Sequence, residues 1–361
     1  MTGVEEKPIV AYLGPEGSYT HQAALSTFPP QEPPTTTLTP LTTIQDVFTA
    51  VQSGTAHRGV VPFENSSNGS VLFTLDLFAD LERKHSDILV CDEAYVAVRH
   101  CLLGRPCPTS NSSASVDKDK SVEKDFSHIK RIYSHPQAWG QCKNFLTTHF
   151  RSIEKIDVSS TSRAAQIAAE DATGTSAALS SPVAAGIFGL EVLAEGVNDR
   201  LGNTTRFLVL RRHQSSSSPS PPPPPPPPLP LPLSSPAHNL SRAEGNKETN
   251  NKDAAWKSLV TFTVQHSNPG ALANCLTAFS AQGINLTSIN TRPSGDRNWH
   301  YVFFVELKGR SRRGDDDDDD DSKGGEMGAV DRALEGLGKA SSGYRWLGSW
   351  ENRLGEEEES G

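Results

Sequence analysis

Between Pro8 and Leu210 the chain repeats one pattern: a short apolar run, a polar turn, then apolar positions at helical spacing. Ile9-Val10-Ala11-Tyr12-Leu13 reads as a buried strand, which Gly14-Pro15-Glu16-Gly17-Ser18 turns into a helix carrying Ala23, Ala24 and Leu25. Gly59 to Phe63 is a second strand; it meets Glu64 to Ser70, after which Val71, Leu75 and Phe78 recur at helical spacing. Ile132-Tyr133 leads into Ser134-His135-Pro136-Gln137, which fits a capping box with proline in the first turn. Val158 precedes Ser159 to Ser162 and an alanine-rich helix, and Ala177-Ala178-Leu179 precedes Ser180-Ser181-Pro182 and another. Each turn alone is ordinary capping. Repeated, they predict an α/β architecture, in which ligands sit where strand ends meet helix amino termini. Free N–H groups there favour anions, so the expected ligand is an organic acid with more than one carboxylate.

The carboxyl-terminal pattern is different. Leu259 to Val264 reads as a strand, Asn268-Pro269-Gly270-Ala271-Leu272 opens a helix running through Phe279, and Ile284 to Ile289 and His300 to Leu307 are two more strands. Ala329 to Leu337 is then a helix and Tyr344 to Trp350 a last strand, giving the βαββαβ order of a ferredoxin-like α+β domain. Between the two parts lies Ser215 to Asp253, dominated by serine, the run Pro221 to Pro228 and then Asn, Lys and Glu. Such a segment buries too little apolar surface to fold and reads as a disordered linker. The expected domains are 8–210, a linker over 211–255, and 256–353, with polar inserts near 109–125 and 310–326.

Composition adds mainly exclusions. The length of 361 residues suits two or three domains, and the net charge of −9 owes much to Asp315 to Asp321 and Glu356 to Glu359. Unspaced carboxylates do not make a calcium loop, and no metal is expected. The one dense basic cluster, Arg310, Arg312 and Arg313, abuts the aspartates, so a nucleic-acid partner is not expected. Cys91, Cys101, Cys107, Cys142 and Cys275 are odd in number without a Cys-x-x-Cys pair, which fits reduced thiols. The amino terminus lacks a signal or transit pattern and no stretch is long enough to span a membrane, so a cytoplasmic protein without a membrane partner is expected. Neither Gly-x-Gly-x-x-Gly after a strand nor Gly-Lys-Ser/Thr occurs, and no nucleotide cofactor is supported.

The segment Gly202 to Leu210 carries the most chemical information, because it sets two hydroxyls and a guanidinium at the mouth of an apolar strand. Alternation puts Thr205 on one face with Phe207 and Val209, and Arg206 on the other with Leu208 and Leu210. A strand-entry turn would explain an isolated Thr-Arg-Phe. Here it has company: Gly14 to Tyr19, Val61-Pro62-Phe63-Glu64-Asn65-Ser66-Ser67-Asn68-Gly69-Ser70-Val71, Tyr133 to Gln137 with Gln141-Cys142, and Asn203-Thr204-Thr205-Arg206-Phe207. Together and in this order these segments resemble prephenate dehydratase.

The resemblance implies two α/β lobes like a type II periplasmic binding protein, with the active site between them. The first lobe would hold Pro8 to Ala97 and a returning segment near Glu191 to Leu210. The implied reaction converts prephenate to phenylpyruvate, carbon dioxide and water. Aromatisation drives it, so no cofactor is needed. The favoured proton donor is then Thr205, with Asn65, Ser134 and Gln141 in substrate binding or transition-state support and Glu64 in positioning. Gly14, Gly17 and Ser18, with Ser66, Thr161 and Ser162, are candidates for gripping the substrate, beside Phe207. Arg206 either neutralises charge or holds the strand, and alternation favours the second.

The carboxyl-terminal part resembles the ACT domains attached to this enzyme, whose phenylalanine-binding motifs correspond to Asn268, Pro269, Gly270, Ala271 and Leu272 and to Asn290, Thr291, Arg292 and Pro293. The second motif commonly reads Glu-Ser-Arg-Pro, so effector affinity is in question, as is coupling across so long a linker. Pairing of ACT sheets across subunits implies a homodimer or homotetramer; a plain dimerisation module is the bland alternative. Arogenate dehydratase and a non-catalytic anion or amino-acid sensor stay open as alternative functions. No long basic helical region precedes Tyr12, so a fused chorismate mutase is not expected.

Overall fold

The computed structural model describes residues 7–32, 34–106, 125–213, 255–312 and 327–354. Cys107, the aspartate run and nearly all of the linker and the two inserts lie outside the described residues.

The first lobe opens with β1 (Ile9–Leu13), α1 (Tyr19–Thr27), β2 (Thr37–Leu41), α2 (Ile44–Ser53), β3 (Arg58–Asn65), the short β4 (Gly69–Ser70), α3 (Leu72–Ala79) and β5 (Ile88–Ala97). Local chemistry sets these boundaries. α2 begins at a reciprocal Thr43–Asp46 capping box, ends at Gly54 in the left-handed region, and buries the stripe Ile44, Val47, Phe48 and Val51. The second lobe contains β6 (Cys101–Gly104), β7 (Arg131–Ser134), α4 (Pro136–Gln141), α5 (Lys143–His149), β8 (Glu154–Asp157), α6 (Thr161–Glu170), β9 (Ser176–Ser180), α7 (Pro182–Phe188) and β10 (Glu191–Ala194). The chain then returns as β11 (Thr204–Arg212), which lies antiparallel between β3 and β5.

The sheet orders are β2-β1-β3-β11-β5 and β10-β6-β9-β7-β8. Both lobes share the second-first-third parallel order, β2-β1-β3 and β8-β7-β9, as expected of a two-lobed, type II periplasmic-binding-protein-like fold. Two crossings join the lobes, and they are paired with each other. The Val98 N–H donates to the Asn203 carbonyl at 2.7 Å, and the Val197 N–H to the His100 carbonyl at 2.9 Å.

Two sequence expectations are corrected. The return to the first lobe comes after Ala194, not at Glu191, because β10 stays in the second sheet paired with β6. Ser134 is not the cap of α4: Pro136 occupies the first turn, His135 is the N-cap, and Ser134 ends β7 with its hydroxyl donating to the Leu179 carbonyl at 2.8 Å.

The third sheet comprises β12 (Trp256–Thr263), β13 (Leu286–Pro293), β14 (Tyr301–Lys308) and β15 (Gly343–Glu351), in the order β13-β14-β12-β15. With α8 (Ala271–Ser280) and α9 (Ala329–Ala340) it completes the expected βαββαβ succession. β12 and β14 are buried along nearly their whole length because both faces are covered. Val260, Phe262 and Val305 pack with the helices, while Leu259, Phe304, Leu347 and Trp350 join one apolar core with Val61, Phe63, Val90 and Leu208 of the first lobe. Gly348 (φ +125°) permits this docking: a Cβ there would stand 2.0 Å from the Val90 carbonyl oxygen. The third sheet is therefore packed against the first lobe, not merely tethered by the linker.

Candidate active site

A cleft of about 540 Å³ opens between the two lobes, within the usual size range of small-ligand sites. Its first-lobe wall is built on β11 and β3. Strand alternation aims Thr205 and Phe207 into the cleft, with Asn65 directly opposite Thr205 in the ladder. The Asn65 amide is oriented by its own loop: Oδ1 accepts the backbone N–H groups of Ser67 and Asn68, each at 3.0 Å. Nδ2 therefore faces β11, donating to Thr205 Oγ1 at 2.9 Å and to Asn203 Oδ1 at 2.8 Å. Since the Thr205 oxygen already accepts a hydrogen bond, its own proton is free to point into the cleft.

The second-lobe wall carries His135, Gln137 and Gln141 of the α4 region together with Ser159, Ser160 and Thr161 at the start of α6. Three helix amino termini converge on the cleft. α1 is capped by Ser18, which accepts the His21 N–H; α6 by Ser160, which accepts the Arg163 N–H; and the shorter α4 by His135. No lysine or arginine among the described residues lines the cleft. Its attraction for anions therefore comes from helix ends and neutral donors.

Of the residues singled out from sequence, Gly14, Ser18, Asn65, Gln141, Thr161, Thr205 and Phe207 line this cleft. Six others do not. Glu64 and Ser66 face a separate cavity under β13, because Glu64 alternates with Asn65 along β3 and Ser66 turns to bond Gly202 and Thr204. Ser134 and Ser162 are fully buried, Ser162 donating to the Glu16 carbonyl, so both tie elements together. Gly17 (φ +78°) shapes the turn beneath Ser18, where its N–H donates to the His21 ring.

Arg206 is the sixth. It occupies the far face of β11, where its guanidinium meets Glu93 (Nε–Oε2 2.7 Å) and Glu306 of β14 (Nη2–Oε2 2.6 Å). Lys257 of β12 joins Glu93 at 3.3 Å, and the Phe63 and Trp350 rings flank the guanidinium. Burial alone would lower the Arg206 pKa, but Glu306 and Glu93 outweigh it and raise it. Burial likewise pushes Glu93 up, and Arg206 and Lys257 outweigh that to hold it below the ordinary carboxylate value.

Sequence reasoning did not assign a role to Tyr19, His100 or Asn203, which also line the cleft. Tyr19 and Asn203 stand inside the quoted motifs. His100 follows the last apolar residues of β5 and gave no local signal.

In the third sheet, Asn268, Pro269 and Gly270 form an exposed turn, Gly270 (φ +81°) opens α8, and Ala271 and Leu272 turn inward. Asn290 to Pro293 lie on β13 against the first lobe. Ser70, at the rim of the cleft, donates its hydroxyl to Asn290 Oδ1 at 2.8 Å, and Arg292 pairs with Asp76 at 2.9 Å. Thr291 and Pro293 are exposed.

Comparison with known proteins agrees with this geometry. A family model described as prephenate dehydratase matches residues 10–215, and an ACT domain model matches residues 258–317. The chain is 32% identical over 354 residues to a bifunctional chorismate mutase/prephenate dehydratase of Aquifex aeolicus, covering 98% of this chain and 76% of that protein. It is 31% identical over 326 residues to a probable prephenate dehydratase of Saccharomyces cerevisiae, covering 82% and 86% respectively. Among solved structures, a prephenate dehydratase from Arthrobacter aurescens in complex with L-Phe matches with a TM-score of 0.66 at 27% identity, covering 95% of this chain and 90% of that one.

Proposed function

The chain belongs to the prephenate dehydratase family and is a hydro-lyase of phenylalanine biosynthesis; from that premise we propose which of its residues carry the reaction and how it is regulated. Prephenate loses its ring carboxylate as carbon dioxide. The electron pair of that C–C bond enters the ring, the C–O bond to the ring hydroxyl breaks, and the departing oxygen takes one proton to leave as water. Aromatisation supplies the driving force, so the protein has to supply a proton, an orientation and a suitable field.

Thr205 donates the proton. The observation that carries this assignment is the Asn65–Thr205 hydrogen bond at 2.9 Å, which turns the hydroxyl proton toward the cleft and stabilises the oxygen as the proton leaves. The Gln141 amide and Thr161 hold the substrate from the second lobe, and Ser18 with the N–H groups of α1 and α6 receives the side-chain carboxylate. Phe207 packs against the ring. A cleft that no lysine or arginine among the described residues lines also suits the chemistry. A lysine or arginine on the ring carboxylate would stabilise the charge that must be lost, raising the barrier to decarboxylation.

Phenylalanine is the effector, received at the turn before α8, and the active form is a homo-oligomer. The bound L-Phe in the Arthrobacter aurescens neighbour and the Gly270-Ala271-Leu272 turn support the first reading. Inhibition has a short route that does not use the linker, because β13 touches the cleft rim through Asn290–Ser70 and β14 reaches the residue beside Thr205 through Glu306–Arg206. Asn290 accepts the Ser70 proton as a glutamate would, so the departure from Glu-Ser-Arg-Pro leaves this contact possible. No helix among the described residues is long and apolar enough to cross a membrane, and we place the enzyme in the cytoplasm.

The test is phenylpyruvate formation from prephenate and phenylalanine formation from arogenate, with and without added phenylalanine. Prephenate turnover that collapses in Thr205→Ala is the expected result. Full activity in Thr205→Ala would remove the assigned acid, and turnover of arogenate alone would change the substrate.

A further inference from the structure

His100 sits on the first crossing between the lobes, 3% exposed, at the floor of the cleft. Its backbone is fixed by the return crossing: the N–H donates to Asn198 Oδ1 at 2.6 Å and the carbonyl accepts from Val197. Its ring touches one residue from each lobe. Nδ1 lies 3.1 Å from the hydroxyl of Tyr19 on α1, and Nε2 lies 2.7 Å from Oε1 of Gln141 on α4.

An amide oxygen only accepts, so the ring nitrogen facing Gln141 Oε1 carries the proton. In a neutral ring the other nitrogen must then accept, and the Tyr19 hydroxyl is there to donate. Both partners suit these roles. Burial holds the imidazole below its ordinary pKa, the Gln141 hydrogen bond opposing it only in part, and burial raises the Tyr19 pKa so that the phenol keeps its proton. The polarity therefore runs from Tyr19 O–H to His100 Nδ1, and from His100 Nε2–H to Gln141 Oε1. With its oxygen engaged on the inner side, Gln141 has its NH₂ group left for the cleft. A free glutamine would present either end, and half of those orientations would aim an acceptor at an anionic substrate.

We propose that His100 is a positioning residue for the dehydration: as a neutral Nε2–H imidazole locked by Tyr19, it orients the Gln141 amide so that the nitrogen faces the substrate across from Thr205. The inference rests on the dehydratase reading for its kinetic consequence, but the hydrogen-bond polarity stands independently of any turnover. Because the three residues come from the first lobe, the crossing and the second lobe, the chain also sets the register of Gln141 against Thr205.

The experiment has a kinetic arm and a spectroscopic arm. His100→Leu keeps the bulk and removes the donor; kcat/KM for prephenate is expected to fall about 10²-fold, the usual cost of misplacing a substrate-facing group. His100→Gln restores an N–H near the Nε2 position and is expected to recover activity to within about tenfold of wild type, the worth of one imperfect hydrogen bond. Tyr19→Phe removes only the hydroxyl and leaves the ring packed, which keeps the test decisive if His100→Leu folds poorly. Long-range ¹H–¹⁵N NMR of the wild-type protein without substrate is expected to show His100 protonated at Nε2 alone, and Tyr19→Phe to mix the two tautomers. An Nδ1–H tautomer in the wild type would overturn the proposal, and so would equal losses in His100→Leu and His100→Gln. Absence of prephenate turnover in the wild type would instead remove the dehydratase reading, while the tautomer still decides the hydrogen-bond chain.

Discussion

The two faces of β11 solve opposite electrostatic problems one residue apart. Thr205 and Phe207 face a cleft that no lysine or arginine among the described residues lines, where helix ends and neutral donors are what an anion would meet. Arg206, between them, faces a buried cluster with Glu93, Glu306 and Lys257 beneath the third sheet. Charge has been kept out of the reacting face and concentrated behind it. The contrast teaches that a conspicuous arginine beside the threonine we propose as the acid need not meet the substrate. Here it fastens the strand and joins the catalytic lobe to β14.

Changes on the two faces should therefore break different things. The largest effect is expected from Thr205→Ala, with kcat for prephenate falling about 10²–10⁴-fold while the thermal midpoint barely moves. Next comes Arg206→Met, which strands Glu306 in the interior and leaves Glu93 with Lys257 alone, and should cost about 3–5 kcal/mol of unfolding free energy. Denaturant titration measures that loss, and adding Glu306→Gln, which leaves Glu93 paired with Lys257, should recover part of it. A destabilised Thr205→Ala beside an unaffected Arg206→Met would invert the comparison.

Acidification should separate the faces by pH. The His100 pKa is depressed by burial from 6.5, so its contribution is fully present above about 6.5 and is lost as pH falls toward its folded value. The Glu93 carboxyl is held below 4.5, so the stability gained through its ion pairs persists down to about that value and is lost only below it. Hydrogen exchange read peptide by peptide should show the lobe crossings loosening first as pH falls, and the β5–β14 region later. The smallest effect is expected from Arg292→Ala. Its pair with Asp76 is part-exposed and should contribute about 0.2–1 kcal/mol, yet losing it should weaken phenylalanine inhibition more than basal turnover. Inhibition curves for the two proteins check this.

How much of the site was legible depended on how local its signals were. Alternation separated Thr205 from Arg206 correctly, because the side-chain period of a strand is two residues. The same rule separates Asn65 from Glu64, and on that ground Glu64 could have been removed from the cleft by sequence alone. Ser134 and Ser162 lie buried outside the cleft lining, which sequence could not foresee for a different reason. A serine next to a helix start looks the same whether it caps the helix or points into the sheet, and only packing distinguishes the two. His100 was invisible because its partners are 81 and 41 residues away in the chain.

What the sequence alone determined was the succession of elements, the α/β and βαββαβ classes, and the strand face that carries the threonine. These follow from short-range periodicity and turn chemistry, which residues a few positions apart suffice to specify. Tertiary structure decided the rest: which lobe β10 joins, the docking of the third sheet through Gly348, the partners of Arg206, and the chain from Tyr19 through His100 to Gln141. Each of these depends on distances between segments far apart in sequence, which are set when apolar faces find their partners and buried polar groups must be satisfied.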